Sequence, residues 1–217
     1  INGVSEIFYG TQNRFFGHLS AGTLSEFTST NFMSGKFPFM IFGLPGAALA
    51  MYSTSLPKNK KVVGGMLLSV AITSMLTGIT EPIEFTFLFL APALYYLVHV
   101  PLCGISFMLM DLLNVRIGLT FSGGLIDYTL FGIVPQATGQ DVGAIWVPVV
   151  GVCYFVIYFI IFRWFILKFN VMTPGRGDDL TLKTKEDYKA KQQVKEVKKG
   201  ELSSLDQAIL EALGGAD

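Results

Sequence analysis

The fold is decided by residues 62–110, which read VVGGMLLSVAITSMLTGITEPIEFTFLFLAPALYYLVHVPLCGISFMLM. This stretch holds an uncharged run of 19 residues and another of 26 residues, and only the four residues 81–84 separate them. A helix needs about 20 predominantly apolar residues to cross a hydrocarbon core about 30 Å thick. The pattern predicts membrane helices on both sides of a short acidic break.

The rest of the chain supports a membrane location. Two further runs without Asp, Glu, Lys or Arg cover residues 37–57 and 142–162, and the whole chain has a mean hydropathy of +0.52 with 15% charged residues. Soluble domains carry about 25% charged residues. Core helices of a soluble domain are the alternative, but they would need polar faces that these runs lack. We predict an all-α integral membrane protein.

Charge divides the chain near residue 170. The first 170 residues hold 15 charged side chains and the last 47 hold 17, although the 16 basic and 16 acidic residues of the whole chain cancel. The balance removes any whole-chain argument for a nucleic-acid partner. We predict a membrane domain over residues 1–170, a solvated charged linker over 171–200 and the start of a further domain over 201–217. Because the chain begins at Ile1 and shows no signal-peptide pattern, we expect it to be part of a longer protein.

Prolines and basic residues predict how the spans are arranged. Pro45, Pro92 and Pro101 fall inside apolar runs, where they kink or divide a helix and indicate broken or re-entrant segments. The basic loop 57–61 and the basic residues that end the apolar run 144–169 suit the cytoplasmic side. Cys103 and Cys153 lie in apolar runs, so we expect no disulfide, metal site or cofactor.

The acidic break contains the residues with the clearest chemical potential. An ionisable side chain at membrane depth costs at least about 2.5–3.5 kcal/mol, so it usually faces a cavity and serves a ligand or ion. Pro82 favours a new helix start, with Thr80 or Glu81 as its cap. A loop in the headgroup region is the other reading, and the length of the flanking runs does not distinguish them.

The carboxylates of the break suit more than one ligand. A carboxylate accepts several hydrogen bonds from neighbouring hydroxyl groups and can also take a proton from one of them. An uncharged polyhydroxylated ligand fits this chemistry, and so does a cation or a proton relay.

Four motifs carry a resemblance to a known family. Residues 78–85, GITEPIEF, resemble the signature of the membrane-spanning IIC component of the bacterial phosphotransferase system, in its glucose and N-acetylglucosamine branch. Residues 33–52, MSGKFPFMIFGLPGAALAMY, residues 118–128, GLTFSGGLIDY, and residues 173–176, TPGR, resemble the same family in the same order. The resemblance covers residues 15–176, and residues 212–215 resemble the start of a fused IIB domain.

The resemblance implies a partial IIC transport domain that acts with other components. In the family, sugar crosses the cytoplasmic membrane through a homodimeric, multi-pass IIC domain and receives phosphate on its 6-hydroxyl from a phosphocysteine of IIB, which is supplied through the IIA and HPr phosphocarriers. No cysteine follows Cys153, so the chain alone is not expected to complete the transfer. The linker is expected on the cytoplasmic side.

The resemblance also assigns site residues. The carboxylate of the Thr-Glu-Pro motif, here Glu81, is implied to contact the sugar and to activate its hydroxyl, and Thr80, Glu84 and Gly78 are the neighbouring substrate-binding residues. Glu84 is expected mainly to support the helix start. The histidines are given no ligand role: His18 does not sit in the family's histidine motif, and His99 is expected to be packed. Asp127 is expected to be structural in preference to contacting sugar.

The sequence leaves more than one function open. A glucose permease is preferred to an N-acetylglucosamine permease because residues 114–132 look more like Gram-positive glucose permeases. The alternative from another class is a proton-coupled secondary transporter or channel subunit in which Glu81 titrates. The charged linker favours phosphoryl transfer, because a simple symporter has no evident use for it.

Overall fold

The computed structural model describes residues 10–27 and 31–177, and every regular element within these ranges is helical. Its contacts divide the chain into two units, residues 1–178 and 179–217. The second unit lies outside the described residues, as does the short helix predicted after Ser203. The linker and the following domain therefore stay predictions.

Seven helices follow one another in the described part of the chain. They are α1 (Thr11–Ala21), α2 (Asn31–Thr54), α3 (Lys60–Thr77), α4 (Glu81–Leu90), α5 (Pro92–Leu112), α6 (residues 125–137) and α7 (Trp146–Lys168). Four of them, α2, α3 with the turn before it, α5 and α7, are long and apolar enough to cross a membrane. The predicted all-α, multi-pass membrane fold is confirmed.

Helix α2 lies at the centre of the bundle. In the most apolar 18-residue stretch of α2, 72% of the residues are buried. The corresponding stretch is 17–28% buried in the other three candidate spans. Glycines bring α2 and α7 into close contact: a Cβ added at Gly151 would lie 2.2 Å from the Phe42 ring, and one added at Gly46 would lie 2.5 Å from the Phe155 carbonyl oxygen. Small residues permit this approach between membrane helices. The core therefore forms around α2.

Prolines inside the helices are accommodated by π-helical turns. The turns Phe39–Gly43, Tyr95–His99 and Thr129–Ile133 are each followed by an α-helical stretch whose second residue is a proline, at Pro45, Pro101 and Pro135. Inside a helix a proline has no N–H to donate and its ring crowds the carbonyl of the preceding turn, and a local departure from the α-helical bonding pattern accommodates both. The break predicted at residues 43–46 is therefore a π turn within a continuous helix.

The long run 85–110 does divide into two pieces, as predicted. Ala91 leaves the helical conformation, with φ of −148° and ψ of 72°, between α4 and α5. Helix α4 has ten residues, so it is about 15 Å long and reaches across only half of a hydrocarbon core. It is a half-helix that begins at the acidic break.

The two basic segments meet at one end of the bundle. The turn between α2 and α3 holds the segment that follows α7: Leu56 N–H donates to the Gly175 carbonyl at 2.9 Å, and Asn59 Nδ2 donates to Gly175 and Gly177 at 3.1 and 3.0 Å. On the same side Arg163 Nη1 donates to Ser53 Oγ at 2.6 Å. The acidic break lies at the opposite end of α3.

Candidate substrate site at the helix break

The break is built by a left-handed glycine and a proline. Helix α3 ends at Thr77, and Gly78 follows with φ of +73°. Helix α4 then begins at Glu81 with Pro82 second, and the Thr80 carbonyl accepts hydrogen bonds from the backbone N–H groups of residues 83 and 84 at 3.0 and 2.9 Å. The helix start was correctly predicted. The Thr80 side chain makes no capping hydrogen bond, and Glu84 lies in the first turn, where a negative charge stabilises the helix start.

Glu81 is the exposed acid of the pair. Its side chain lies on a shallow, open groove that is lined by residues of α4 alone, together with the exposed rings of Phe85 and Phe89. Among the described residues nothing forms a hydrogen bond or ion pair with its carboxylate. Binding sites combine such apolar walls with a few polar groups that orient the ligand. The arrangement suits a ligand with hydroxyl groups and apolar faces.

Glu84 points into the bundle instead. Its Oε1 lies 3.4 Å from His99 Nε2, and its side chain is 18% exposed. The His99 ring is buried and its Nδ1 lies 3.0 Å from the Tyr158 hydroxyl, while Cys103 Sγ lies 3.5 Å from Nε2. These four residues form a polar cluster that joins α4, α5 and α7 within the apolar core. At least one carboxylate oxygen of Glu84 is therefore in contact with another side chain, that of His99.

Asp127 is buried in a cradle of donors. Its Oδ2 accepts four backbone N–H bonds of 3.0–3.2 Å from residues 120–123, and its Oδ1 accepts the Thr120 hydroxyl at 2.9 Å. Burial raises the pKa of this carboxyl, but the hydrogen bonds outweigh burial and the net pKa is lowered. Asp127 lies outside the four candidate spans. The structural role predicted for it is confirmed.

Comparisons with known proteins identify the family of this chain. The family model described as "Phosphotransferase system, EIIC" matches residues 3–104, which include the break and Glu81. The "PTS system glucose-specific EIICBA component" of Staphylococcus saprophyticus subsp. saprophyticus is 51% identical over 178 residues, 82% of this chain and 25% of that protein. This chain belongs to the EIIC family of the phosphotransferase system. It spans about a quarter of the length of this curated relative.

The four predicted site residues of this EIIC chain do not all lie at one site. Glu81 is exposed at the groove, whereas Thr80 is buried and Glu84 turns towards His99. Gly78 serves the turn through its left-handed backbone. The roles of these four residues in binding substrate remain predictions.

The sequence did not indicate the partner of Glu84. It predicted a packed His99, and the ring does lie against aromatic neighbours, including Phe39, Phe87 and Tyr95. Its contact with Glu84 crosses the bend at Ala91, where helical spacing rules no longer apply. An isolated acid and an isolated histidine on one apolar stretch were the available signal, since such groups usually pair within a membrane.

The other histidine of this EIIC chain, His18, contacts the turn that follows α1. His18 Nδ1 lies 3.0 Å from Thr23 Oγ1 and 3.2 Å from the Thr23 carbonyl oxygen, so its ring joins the end of α1 to the following turn. Within residues 10–27 and 31–177 no three His, Cys, Asp or Glu side chains are grouped to hold a metal ion.

Proposed function

We propose that this chain is the sugar-translocating part of a phosphoenolpyruvate-dependent glucose permease, which couples uptake to phosphorylation of the sugar 6-hydroxyl. One observation carries the proposal: the exposed carboxylate of Glu81 lies at the tip of a half-helix in a chain 51% identical to a protein named a glucose-specific EIICBA component. The name of that relative supports glucose over N-acetylglucosamine and over a proton-coupled transporter.

Glu81 would perform two tasks at the sugar. Its carboxylate accepts hydrogen bonds from sugar hydroxyl groups, and no described residue competes for its oxygens. As phosphate approaches the 6-hydroxyl, the same carboxylate can take the hydroxyl proton and so raise the nucleophilicity of the oxygen. The exposed Phe85 and Phe89 rings would offer apolar surfaces for the C–H faces of the sugar.

The phosphate donor would be the phosphocysteine of a IIB domain, which is charged in turn by IIA and HPr. The basic end of the bundle supports a cytoplasmic position for the linker, because Lys and Arg are enriched in cytoplasmic loops. Residues 57–61 and the segment after α7 meet there, so the following linker would leave on the cytoplasmic side of a bacterial cell membrane. The complete protein would act as a homodimer, as the family resemblance implies.

Uptake into vesicles tests the function. The full-length parent protein in membrane vesicles would receive phosphoenolpyruvate and the soluble phosphocarriers, and labelled glucose and N-acetylglucosamine would be followed with and without a protonophore. We expect glucose phosphate to accumulate whether or not the protonophore is present. Accumulation of unmodified sugar that collapses with the proton gradient would contradict the proposal and would favour a symporter.

Substitution of Glu81 tests the residue. Glu81→Gln keeps the volume and removes the charge, so we expect normal membrane insertion and a loss of sugar phosphorylation of at least about 100-fold. Asp111→Asn is the matched control, because Asp111 is exposed near the end of α5 and makes no contact with the break. Near-normal phosphorylation by Glu81→Gln would contradict the role given to this carboxylate.

A further inference from the structure

We propose that residues 119–124, folded around the Asp127 carboxylate, form a clamp that positions the helix break at residues 77–80 and, through the break, Glu81. The clamp is defined by this loop together with Asp127. Its effect on the break concerns the structure alone, and its effect on sugar phosphorylation rests on the function proposed above.

A single carboxylate sets the conformation of the loop. Four successive backbone N–H groups, from Thr120 to Gly123, converge on Asp127 Oδ2, and the Thr120 hydroxyl takes the other oxygen. Asp127 is 1% exposed, so water cannot replace these bonds. Successive N–H groups that surround one anion lock the backbone between them. Loss of the carboxylate would leave one buried and three partly buried N–H groups without their acceptor.

The loop is in direct contact with the break. The Ser122 hydroxyl donates to the carbonyl of Thr77, the last residue of α3. A helix end leaves its final carbonyl groups without partners in the helix, so a bond from outside is needed there. Within the described residues, the other hydrogen bonds of residues 77–80 join neighbours in sequence. Ser122 therefore provides the hydrogen bond between the break and a distant segment.

Two glycines allow the backbones to touch. A Cβ added at Gly124 would lie 2.5 Å from the Gly78 nitrogen and 2.5 Å from the Leu76 carbonyl oxygen. A Cβ added at Gly78 would lie 2.7 Å from the Ser122 carbonyl oxygen. These atoms belong to backbone, which cannot move aside as a side chain can. The contact thus depends on glycine on both sides.

The clamp matters for Glu81 because the break is exposed at Ile79 and at the start of α4. Ile79 is 37% exposed, and Glu81 at the start of α4 is exposed as well. A displacement of a reacting group by about 1 Å can cost about 100-fold in rate. We therefore assign Asp127 and Ser122 as positioning residues, which act on the substrate through the break and not by contact.

The test combines hydrogen exchange with kinetics on the full-length parent protein in detergent. Ser122→Ala removes one hydroxyl from the clamp, Gly124→Ala introduces the backbone clash, and Asp127→Ala empties the cradle. Gly104→Ala is the control, because a Cβ at Gly104 meets no atom within 4 Å. Exchange would be measured for residues 76–84 and, as an internal reference, for α7. Glucose phosphorylation would be measured as kcat/KM.

We expect Ser122→Ala to speed exchange in residues 76–84 by about tenfold and to leave α7 unchanged. The value of kcat/KM should fall by about tenfold or more, and the control should match the unmodified protein. Asp127→Asn supplies the rescue: its carbonyl oxygen can accept the four N–H bonds and its amide can donate to Thr120. It should therefore be affected less than Asp127→Ala in both measurements.

Three results would overturn the proposal. Exchange at residues 76–84 that matches the control in both Ser122→Ala and Asp127→Ala would show that the loop does not hold the break. Exchange that rises equally in α7 would mean global destabilisation and not a clamp. Faster local exchange with unchanged kcat/KM would show that the clamp does not position Glu81 through the break. Failure of the proposed function would appear separately, as an active Glu81→Gln protein, and would not alter the exchange result.

Discussion

His99 Nε2 lies 3.4 Å from Glu84 Oε1, so a half-helix that begins at the break is tied to the span that follows it. A neutral histidine donates from one ring nitrogen and accepts at the other. His99 can therefore donate from Nε2 to Glu84 and accept the Tyr158 hydroxyl at Nδ1, 3.0 Å away. One ring thereby connects three helices, α4, α5 and α7, in a part of the core that is otherwise apolar.

Replacement of this histidine should weaken the whole bundle. In His99→Phe the ring volume remains, but Glu84 and Tyr158 lose their shared partner. A buried polar group without a partner costs about 1–3 kcal/mol, so we expect a lower thermal midpoint in detergent. Glu84→Gln added to His99→Phe should recover part of the loss, because it removes the unpaired carboxylate. An unchanged midpoint in the single variant would show that the contact contributes nothing.

The acid stability of the protein should depend on Asp127. Its pKa is lower in the folded protein than the value of 3.8 for a free side chain, so the charged form stabilises the fold. This contribution is complete above the unfolded pKa and disappears as the pH falls through the folded pKa. The thermal midpoint of the unmodified protein should exceed that of Asp127→Asn by a constant amount from about pH 7 to about pH 5 and then converge with it. A difference that begins to shrink above about pH 5, or that grows on acidification, would contradict the sign of the shift.

Two glycines, one within α3 and one directly after its end, should respond in opposite ways to replacement by alanine. Gly78 has φ of +73° and lies close to the Ser122 carbonyl, so Gly78→Ala should destabilise the protein by more than about 1 kcal/mol. Gly65 lies within α3, where a Cβ meets no atom within 4 Å, and Gly65→Ala should be neutral or stabilising by up to about 1 kcal/mol. Thermal unfolding of the two variants side by side checks the contrast, and equal effects would refute it.

The segment after α7 should loosen when its anchor is removed. Asn59 is buried and its amide donates to the carbonyl groups of Gly175 and Gly177. Asn59→Ala should therefore speed hydrogen exchange in residues 171–177 and cost about 1–2 kcal/mol. Lys61→Ala, at an exposed position nearby, is the control. If both variants exchange alike, the amide of Asn59 does not hold this turn.

The sequence predicted the spans and the helix start well. A long uncharged run in a bilayer has few structural solutions, because each backbone N–H and C=O must be satisfied within the segment. Pro82 predicted the start of α4 for a local reason, since a proline suits the first helical turn. Prolines marked the irregular positions, but the π turns before Pro45, Pro101 and Pro135 were not predicted, because the packing of neighbouring helices decides whether a helix breaks at a proline or continues through a wider turn.

By itself, the amino-acid sequence determined that the chain is an all-α membrane protein with an acidic break between two apolar runs. Tertiary structure decided the different environments of the two glutamates: Glu81 opens onto the groove, while Glu84 reaches His99. It also brought Ser122 to Thr77, 45 positions away along the chain. The reason is that local composition sets what a segment can form in a bilayer, whereas the direction and partners of a side chain depend on how separate helices pack.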